Sequence, residues 1–281
     1  MRSVVTDDLV PLCERLLAGD EAELPMLPTI AQETLALCQD EHVDAARLSE
    51  VLHRDQGLAG HVLRVANSPL YRPGVPIGSL QQAISRLGFR ALSELAVAVA
   101  VRGKVFASEG ASSLAEHMAG LWRHAAAVGL FAQEIARQRR RNVESAFLCG
   151  LLHDVGRPVI LAAAAKEHPD AGLPVLVSAM DNYHNVVGLR LAELWQLPPQ
   201  VVASARWHHD WSQADGHVEA VMTVALADRL AHWAVPSGDD AVTEDELRQL
   251  PVLEGLNLYP DEMEALLERR EDVCEKVEVI S

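Results

Sequence analysis

The chain has 281 residues, of which 49% are hydrophobic, so it can build one large core or two smaller ones, and a disordered or fibrous protein is excluded. Its 40 acidic residues outnumber 24 lysines and arginines, which gives a formal net charge of −16. Because this field repels phosphate backbones, we expect no sequence-independent binding of nucleic acid. The basic run "RQRRR" at 137–141 could contact an anion, but the dipole at a helix end is enough to explain cations there.

The N-terminal segment and the cysteines indicate a reduced, cytoplasmic environment. The first residues, "MRSVVTDDLVPLCERL", contain early acids, and no run in the chain approaches the length that spans a bilayer, so we expect no membrane partner. No C-x-x-C pair occurs, which argues against a thiolate zinc site or a disulfide framework. We therefore expect reduced thiols at Cys13, Cys38, Cys149 and Cys274. Cys149 lies in an apolar run and is expected to be a core thiol rather than a ligand.

Alanine and leucine dominate and β-branched alternation is nearly absent, so the fold is predicted to be all-α. Residues 43–54 and 57–67 each place apolar residues on one helical face. Residues 67–79 contain three prolines and two glycines and must form a loop. Ser79 fits as the N-cap of the next helix and Gly88 as its stop, and an apolar helix follows. Two short helices around a glycine suggest helix-turn-helix DNA binding, but the acidic balance and the lack of a basic face argue against it.

The segment "ASEGASS" at 107–113 is the best internal boundary, because it is small, polar and contains glycine. It separates an N-terminal helical part, 1–110, from a second half, 111–235. In the second half a long helix runs to the arginine cluster, and "NVESAFLCGLLHDVGR" forms the next helix, with Gly156 near its end. Further helices are expected over 181–195, 198–209 and 217–234. After "PSGDD", the acidic tail 236–281 is either a helical cap or partly mobile.

Histidines and aspartates in the second half form a pattern typical of a metal site. The adjacent His153 and Asp154 follow an apolar run, where a charged pair is costly to bury unless something compensates it. On a helix these two side chains diverge by about 100°, so they reach one ion only from a helix end, which Gly156 would supply. His124 and Asp228 lie among apolar residues at helical spacing and so face inward. A cation shared by the four side chains would meet the need of the buried carboxylates for a partner.

A second group of histidines offers ligands for another ion beside the first. His184 and the doublet His208–His209 supply nitrogens, and Asp154 would bridge the two ions. Histidine and carboxylate ligands without thiolates suit one or two divalent ions of iron, manganese, zinc, nickel or cobalt, and spacing does not choose among them. Each residue alone could be a hydrogen-bonded core histidine, or for His209 a surface one. As a set the candidate ligands favour metal: His124, His153, Asp154, His184, His208, His209 and Asp228.

The segments "LCGLLHDVGR", "YHNVVGLRLAELWQLPPQVVASARWHH" and "ALADRL" resemble the HD superfamily of metal-dependent phosphohydrolases. More closely, "LPMLPTIAQETLALCQDEHVDAARLSEVLHRDQGLAGHVLRVANSPLYRP" and "SLQQAISRLGFRALSELAV" resemble the HDOD family, the HD-related output domain of bacterial signalling proteins, over about residues 22–232. The resemblance implies an HD-domain-like helical bundle with an N-terminal helical subdomain. Members commonly carry an eroded HD metal site, and this chain is less eroded.

Residue by residue, the resemblance implies that His124, His153, Asp154 and Asp228 hold the HD metal. The other three candidate histidines fall where the related HD-GYP phosphodiesterases place further ligands. The chain departs from these enzymes in two ways. Arg157 stands where the hydrolases usually have a lysine, which keeps the charge but not the compact ammonium geometry. No Gly-Tyr-Pro sequence follows the His doublet, which argues against cyclic dinucleotide hydrolysis by the HD-GYP route.

Two functions follow as hypotheses, and the resemblance favours the first. One is a signal-transduction module that acts through protein partners or a second copy of the chain, with the 67–79 loop as a candidate surface. The other is a metal-dependent phosphohydrolase acting on a nucleotide or another phosphate ester. In the enzyme, Asp154 would bridge or orient the nucleophile, and Arg157 or Arg123 would stabilise phosphoryl oxygens. As an alternative to binding metal, His184 would protonate the leaving group.

Overall fold

The computed structural model describes residues 6–18, 24–39, 45–68, 75–107, 112–236 and 241–281, and within them the predicted all-α class is confirmed. After a short 3₁₀ turn, Thr6–Leu9, the N-terminal helices are α1 (Val10–Ala18), α2 (Thr29–Gln39), α3 (Ala45–His53), α4 (Gln56–Ala66), α5 (Leu80–Leu87) and α6 (Phe89–Val105). The second half contains α7 (Ser112–Gln138), α8 (Val143–Leu152), α9 (Gly156–Glu167), α10 (Leu173–Leu194), α11 (Pro199–Trp207) and α12 (Val218–Ala234). The C-terminal helices are α13 (Glu244–Leu247), α14 (Val252–Gly255), α15 (Pro260–Leu267) and α16 (Arg270–Ile280).

Local sequence signals set the ends of α5 and α6 as expected. The Ser79 side chain accepts a hydrogen bond from the Gln82 backbone N–H, which makes it the N-cap of α5. Gly88 ends α5 at a φ of 86°, a conformation that favours glycine, and α6 begins at the next residue. The chain therefore turns from the short α5 into the 17-residue α6 without a long connection.

Several predicted loops and boundaries lie partly outside the described residues. Residues 69–74, 108–111 and 237–240 lie outside the described part of the chain, as does the Cys38 side chain, so the division of the chain at 107–113 stays a prediction. The described ends of the 67–79 loop are joined by Asn67. Its side-chain amide donates to the Ile77 carbonyl over 2.8 Å, and the Ile77 N–H donates to its oxygen over 2.7 Å.

Helix α7 runs through the centre of the second half and packs along α8 and α12, while α10 packs on α9 and α11. The N-terminal helices join this bundle through α6 on α8 and α1 on α10. The indole N–H of Trp195 also donates to the Pro25 carbonyl over 2.9 Å. Beyond α12, the chain continues as helices that pack on α7 and α12. Residues Ser145–Glu167 are long and apolar enough to cross a membrane, but they are 83% buried, as a core segment is.

The basic cluster at the end of α7 is engaged within the molecule. Arg139 and Arg141 contact the Glu219 carboxylate at 2.9 and 2.8 Å, and Arg139 also donates to the Leu256 carbonyl. Their hydrogen bonds lower the pKa of Glu219. These pairs leave no need for an external anion.

One element boundary next to the predicted site was wrong. Helix α8 stops at Leu152, and Gly156 begins α9 rather than ending the preceding helix. The reason is a close approach of backbones, because a Cβ on Gly156 would lie 2.2 Å from the His184 carbonyl oxygen of α10. Pro158 is tolerated in the first turn of α9, where its missing N–H has no intrahelical partner. Helix α10 also begins at Leu173, earlier than the predicted 181.

Gly156→Ala is expected to lower the free energy of unfolding by about 3 kcal/mol, because the added methyl group meets backbone that cannot give way. Gly120→Ala is the matched control. Nothing lies within 4 Å of a Cβ at Gly120, so the alanine should stabilise α7 by up to about 1 kcal/mol. Urea unfolding of both variants measures the difference. Equal stabilities would mean that α9 and α10 are not in close backbone contact.

Candidate metal centre

The structure brings all seven candidate metal ligands into one cluster at the centre of the second half. Helix α7 supplies His124, the turn between α8 and α9 supplies His153 and Asp154, and α12 supplies Asp228. His184 comes from α10, and the His208–His209 doublet follows α11. Apart from His209, which is exposed, these side chains are buried, and His153 is completely so.

Asp228 stands among three imidazoles. Its Oδ1 lies 2.9 Å from Nε2 of His124 and 3.6 Å from Nε2 of His153. The third imidazole belongs to His232, one helical turn further along α12, with its Nε2 at 3.5 Å. Asp228 is thus the centre of a compact group of nitrogen and oxygen atoms.

Asp154 faces the other histidines. Its Oδ1 lies 3.2 Å from Nε2 of His208 and 3.4 Å from Nε2 of His184. Nε2 of His184 is 3.0 Å from Nε2 of His209, and Nε2 of His153 is 3.5 Å from Asp154 Oδ2. His153 therefore stands between the two aspartates.

Backbone carbonyls orient three of the imidazoles with Nε2 toward the carboxylates. In each case Nδ1 lies within hydrogen-bond distance of a carbonyl, which only an N–H can satisfy. The acceptors are Gly150 for His153 at 2.7 Å, Ser204 for His208 at 2.9 Å and Asp181 for His184 at 3.0 Å. Metal-binding histidines are held in this way, with the second nitrogen turned to the ion.

The charges of the cluster match a cation. Although burial raises the pKa of a carboxyl, nearby His153 and Arg157 hold the pKa of Asp154 well below its usual range. Burial also opposes ionisation of Asp228, but the neighbouring imidazoles hold its pKa well below its usual range. Both carboxylates are therefore ionised at neutral pH.

Two of the imidazoles are neutral at the same pH. Burial lowers the pKa of His184. Burial of the His209 ring, with the neighbouring His208 as a smaller cause, lowers the pKa of His209 to about 3. Burial opposes protonation of His153 too, but the two carboxylates raise its pKa. Protons alone therefore do not neutralise the whole cluster.

Several buried atoms lack a well-aligned hydrogen bond within the described part of the chain. Those that face the carboxylates and imidazoles of the cluster include Nε2 of His153, Nε2 of His208 and Oδ1 of Asp154. Lone pairs facing a carboxylate oxygen across about 3 Å repel each other unless a cation or proton lies between them. The residues thus fit a transition-metal ion bound through nitrogen and oxygen.

Arg157 occupies the remaining oxygen of Asp154. Its Nε lies 2.6 Å from Asp154 Oδ2, and its Nη1 lies 2.6 Å from Oδ1 of Asp181. The Nη1 contact is a hydrogen bond to Asp181, whereas the Nε contact is a close ion pair without hydrogen-bond alignment. Together they place the guanidinium group beside the Asp154 carboxylate. Arg123, the other cation considered from the sequence, is exposed on α7.

The cluster opens into a cleft of about 580 Å³. Its polar wall includes His184, His209 and Arg229, and its apolar wall includes Trp211 and Pro251. The C-terminal segment therefore helps to enclose the site. Cys149, by contrast, is a buried core thiol, and burial raises its pKa to about 11.

Sequence reasoning missed His232 and Asp181. The spacing of four residues between Asp228 and His232 on a predicted helix was a usable signal, because such residues share a face. Asp181 gave no such signal, since its contact with Arg157 joins two helices.

Comparison with known proteins identifies a family for most of the chain. The HDOD domain family matches residues 24–211. An uncharacterized protein of Treponema pallidum is 26% identical over 220 residues, and the match covers 73% of this chain but only 41% of that protein. The chain thus corresponds to less than half of that curated relative.

Two solved structures share the fold. A candidate phosphohydrolase of Shewanella amazonensis is 26% identical, with a TM-score of 0.72 and coverage of 95% of this chain and 98% of that one. An HDOD domain protein of unknown function from Geobacter sulfurreducens is 23% identical, with a TM-score of 0.73 and coverage of 96% and 98%.

Metal removal is expected to destabilise the protein, because the ion binds only the assembled cluster. With free metal at 100 times its Kd, the free energy of unfolding should exceed that of the metal-free protein by about 2.7 kcal/mol. Asp154→Ala should reduce or abolish this gain, whereas His53→Ala, an exposed histidine on α3, should leave it unchanged. Elemental analysis of protein purified without nickel resin, combined with urea unfolding, provides the measurement. A wild-type protein that neither contains nor takes up metal would rule out the site.

Proposed function

Because the chain belongs to the HDOD family, we propose that it is a regulatory module of a bacterial signalling pathway, acting in the cytoplasm through contacts with a protein partner. In this role a bound metal ion is part of the structure rather than of a reaction. Neither nucleic acid nor a membrane is a partner in this proposal, whereas a second copy of the chain is an alternative to a different protein. The long-range acidic field supports the exclusion of nucleic acid.

The observation that carries the proposal is the contact between Arg157 and Asp154. A hydrolase of this type uses the carboxylate to orient its nucleophile or to bridge two ions. Here Asp154 Oδ2 is held by the guanidinium group at 2.6 Å, and Asp181 holds the same group from the other side. A planar guanidinium fixed at both ends is a rigid partner, unlike a flexible lysine. Asp154 is consequently left with Oδ1 as its available ligand atom.

A metal at this centre would connect elements that are far apart in sequence. Its candidate ligands come from α7, the turn before α9, α10, the end of α11 and α12. An ion bound to all of them stabilises one arrangement of these helices, because it has little affinity for the unfolded chain. The outer surfaces of the same helices would then present a defined shape to a partner only in the loaded protein.

A second candidate function, metal-dependent phosphoester hydrolysis, is favoured by the cleft. A ligand entering it would meet Arg157 and Arg229 beside the histidines. The 26% identical Shewanella protein is named as a candidate phosphohydrolase. In such an enzyme the ion would supply Lewis acidity. Arg157 would bind phosphoryl oxygens, and His184 would hold a proton near the leaving group.

An activity screen separates the two functions. Protein loaded in turn with manganese, iron and zinc is incubated with bis(p-nitrophenyl) phosphate and with a panel of nucleotides. The regulatory role predicts no hydrolysis above that of Asp154→Ala, together with metal-dependent protection of α7, α10 and α12 in hydrogen exchange. Turnover that needs metal and disappears in Asp154→Ala would instead establish the phosphohydrolase.

Arg157→Lys is expected to lower the free energy of unfolding by about 2 kcal/mol, because a single ammonium cannot reproduce both charge-assisted contacts of the guanidinium. Arg190→Lys is the control. Its pair with Glu193 is a surface contact at 3.7 Å, whose loss should cost less than about 0.5 kcal/mol. Both variants are compared by urea unfolding of the metal-free protein. If they lose equal stability, Arg157 does not restrain Asp154.

A further inference from the structure

We propose that His232 is a metal ligand that binds the same ion as His124, His153 and Asp228. This inference rests on the metal-binding part of the proposed function. It gives the centre two subsites of the same composition. The second consists of Asp154 with His184, His208 and His209.

The distances around Asp228 support the first subsite. Three imidazole nitrogens lie 2.9, 3.5 and 3.6 Å from its Oδ1, and they belong to His124, His232 and His153. Nitrogen and oxygen ligands bind such ions at about 2.0–2.2 Å, so neighbouring ligand atoms on one ion are about 3.0–3.6 Å apart. The ligand atoms of His124, Asp228 and His232 also lie within 4.8 Å of one another.

The position of His232 is set by α12 and by the ring of His124. Four residues separate His232 from Asp228, so both side chains leave the same face of the helix. The His232 ring centroid lies 4.5 Å from that of His124, and the residue lines the cleft. His232 is thus on the open side of the subsite, where an ion would enter.

Asp154 lies between the two subsites, because its Oδ2 is 3.5 Å from Nε2 of His153. Its Oδ1 is closest to His208 and His184, at 3.2 and 3.4 Å. Its Oδ2 is held by Arg157 at 2.6 Å. Asp154 is therefore within reach of both subsites, and His232 adds a ligand from α12 to the first one.

Cobalt binding tests this assignment. Metal-free protein is reconstituted with Co²⁺, the bound metal is counted by elemental analysis, and the visible d–d absorption reports the ligands independently of any activity. Wild type should bind two equivalents. His232→Ala should weaken one of them at least tenfold and change the absorption spectrum. Asp154→Ala should weaken the other ion more strongly than the ion at Asp228.

Further variants exclude a purely structural role for His232. His232→Gln keeps a polar side chain of similar reach, and His53→Ala controls for removal of any histidine; circular dichroism confirms that each variant is folded. If His232 merely packs on His124, both His232 variants will bind two equivalents with an unchanged spectrum, and the inference is wrong. Binding of only one ion by wild type also overturns it. Failure of wild type to bind cobalt, manganese, iron or zinc would instead remove the metal-binding part of the proposed function and leave a regulatory module without metal.

Discussion

Two ionised carboxylates buried among imidazoles are the constraint on which the second half of the molecule depends. Removing a charge from water costs several kcal/mol unless it is compensated, and here the compensation comes from Arg157, from imidazoles and, in our proposal, from a metal. The groups around the two carboxylates help to compensate these buried charges. Backbone carbonyls turn the imidazole nitrogens inward, and Asp181 fixes the guanidinium beside Asp154.

The turn at residues 153–155 sets the directions in which the His153 and Asp154 side chains point. In a continuous helix two adjacent side chains point about 100° apart. The break after Leu152 lets His153 lie between both aspartates while Asp154 faces His184 and His208. Gly156 allows the next helix to begin at once against the backbone of α10, and any larger residue would push the two helices apart.

Composition and periodicity were enough to predict the helical class, the cap at Ser79 and the inward direction of His124 and Asp228, because each depends on nearby residues. The pairing of Arg157 with Asp181 and the start of α10 at Leu173 depend on packing between helices, which periodicity does not contain. Gly156 was misread for the same reason, since a glycine that ends a helix and one that admits a neighbouring backbone look alike in sequence. The four-residue spacing from Asp228 could have placed His232 on the same helical face. Its proximity to His124, however, depends on packing between α7 and α12.

The segment that matches the family ends at residue 211, whereas Asp228 and His232 lie beyond it on α12. During synthesis from the N-terminus, His124 therefore leaves the ribosome more than a hundred residues before the last of its partners. Until α12 has been synthesised, the growing chain contains the cluster histidines without a complete set of metal ligands. In our proposal metal loading is thus a late event in biogenesis, and a nascent chain held before α12 would be open to capture of the wrong ion through an incomplete set of ligands.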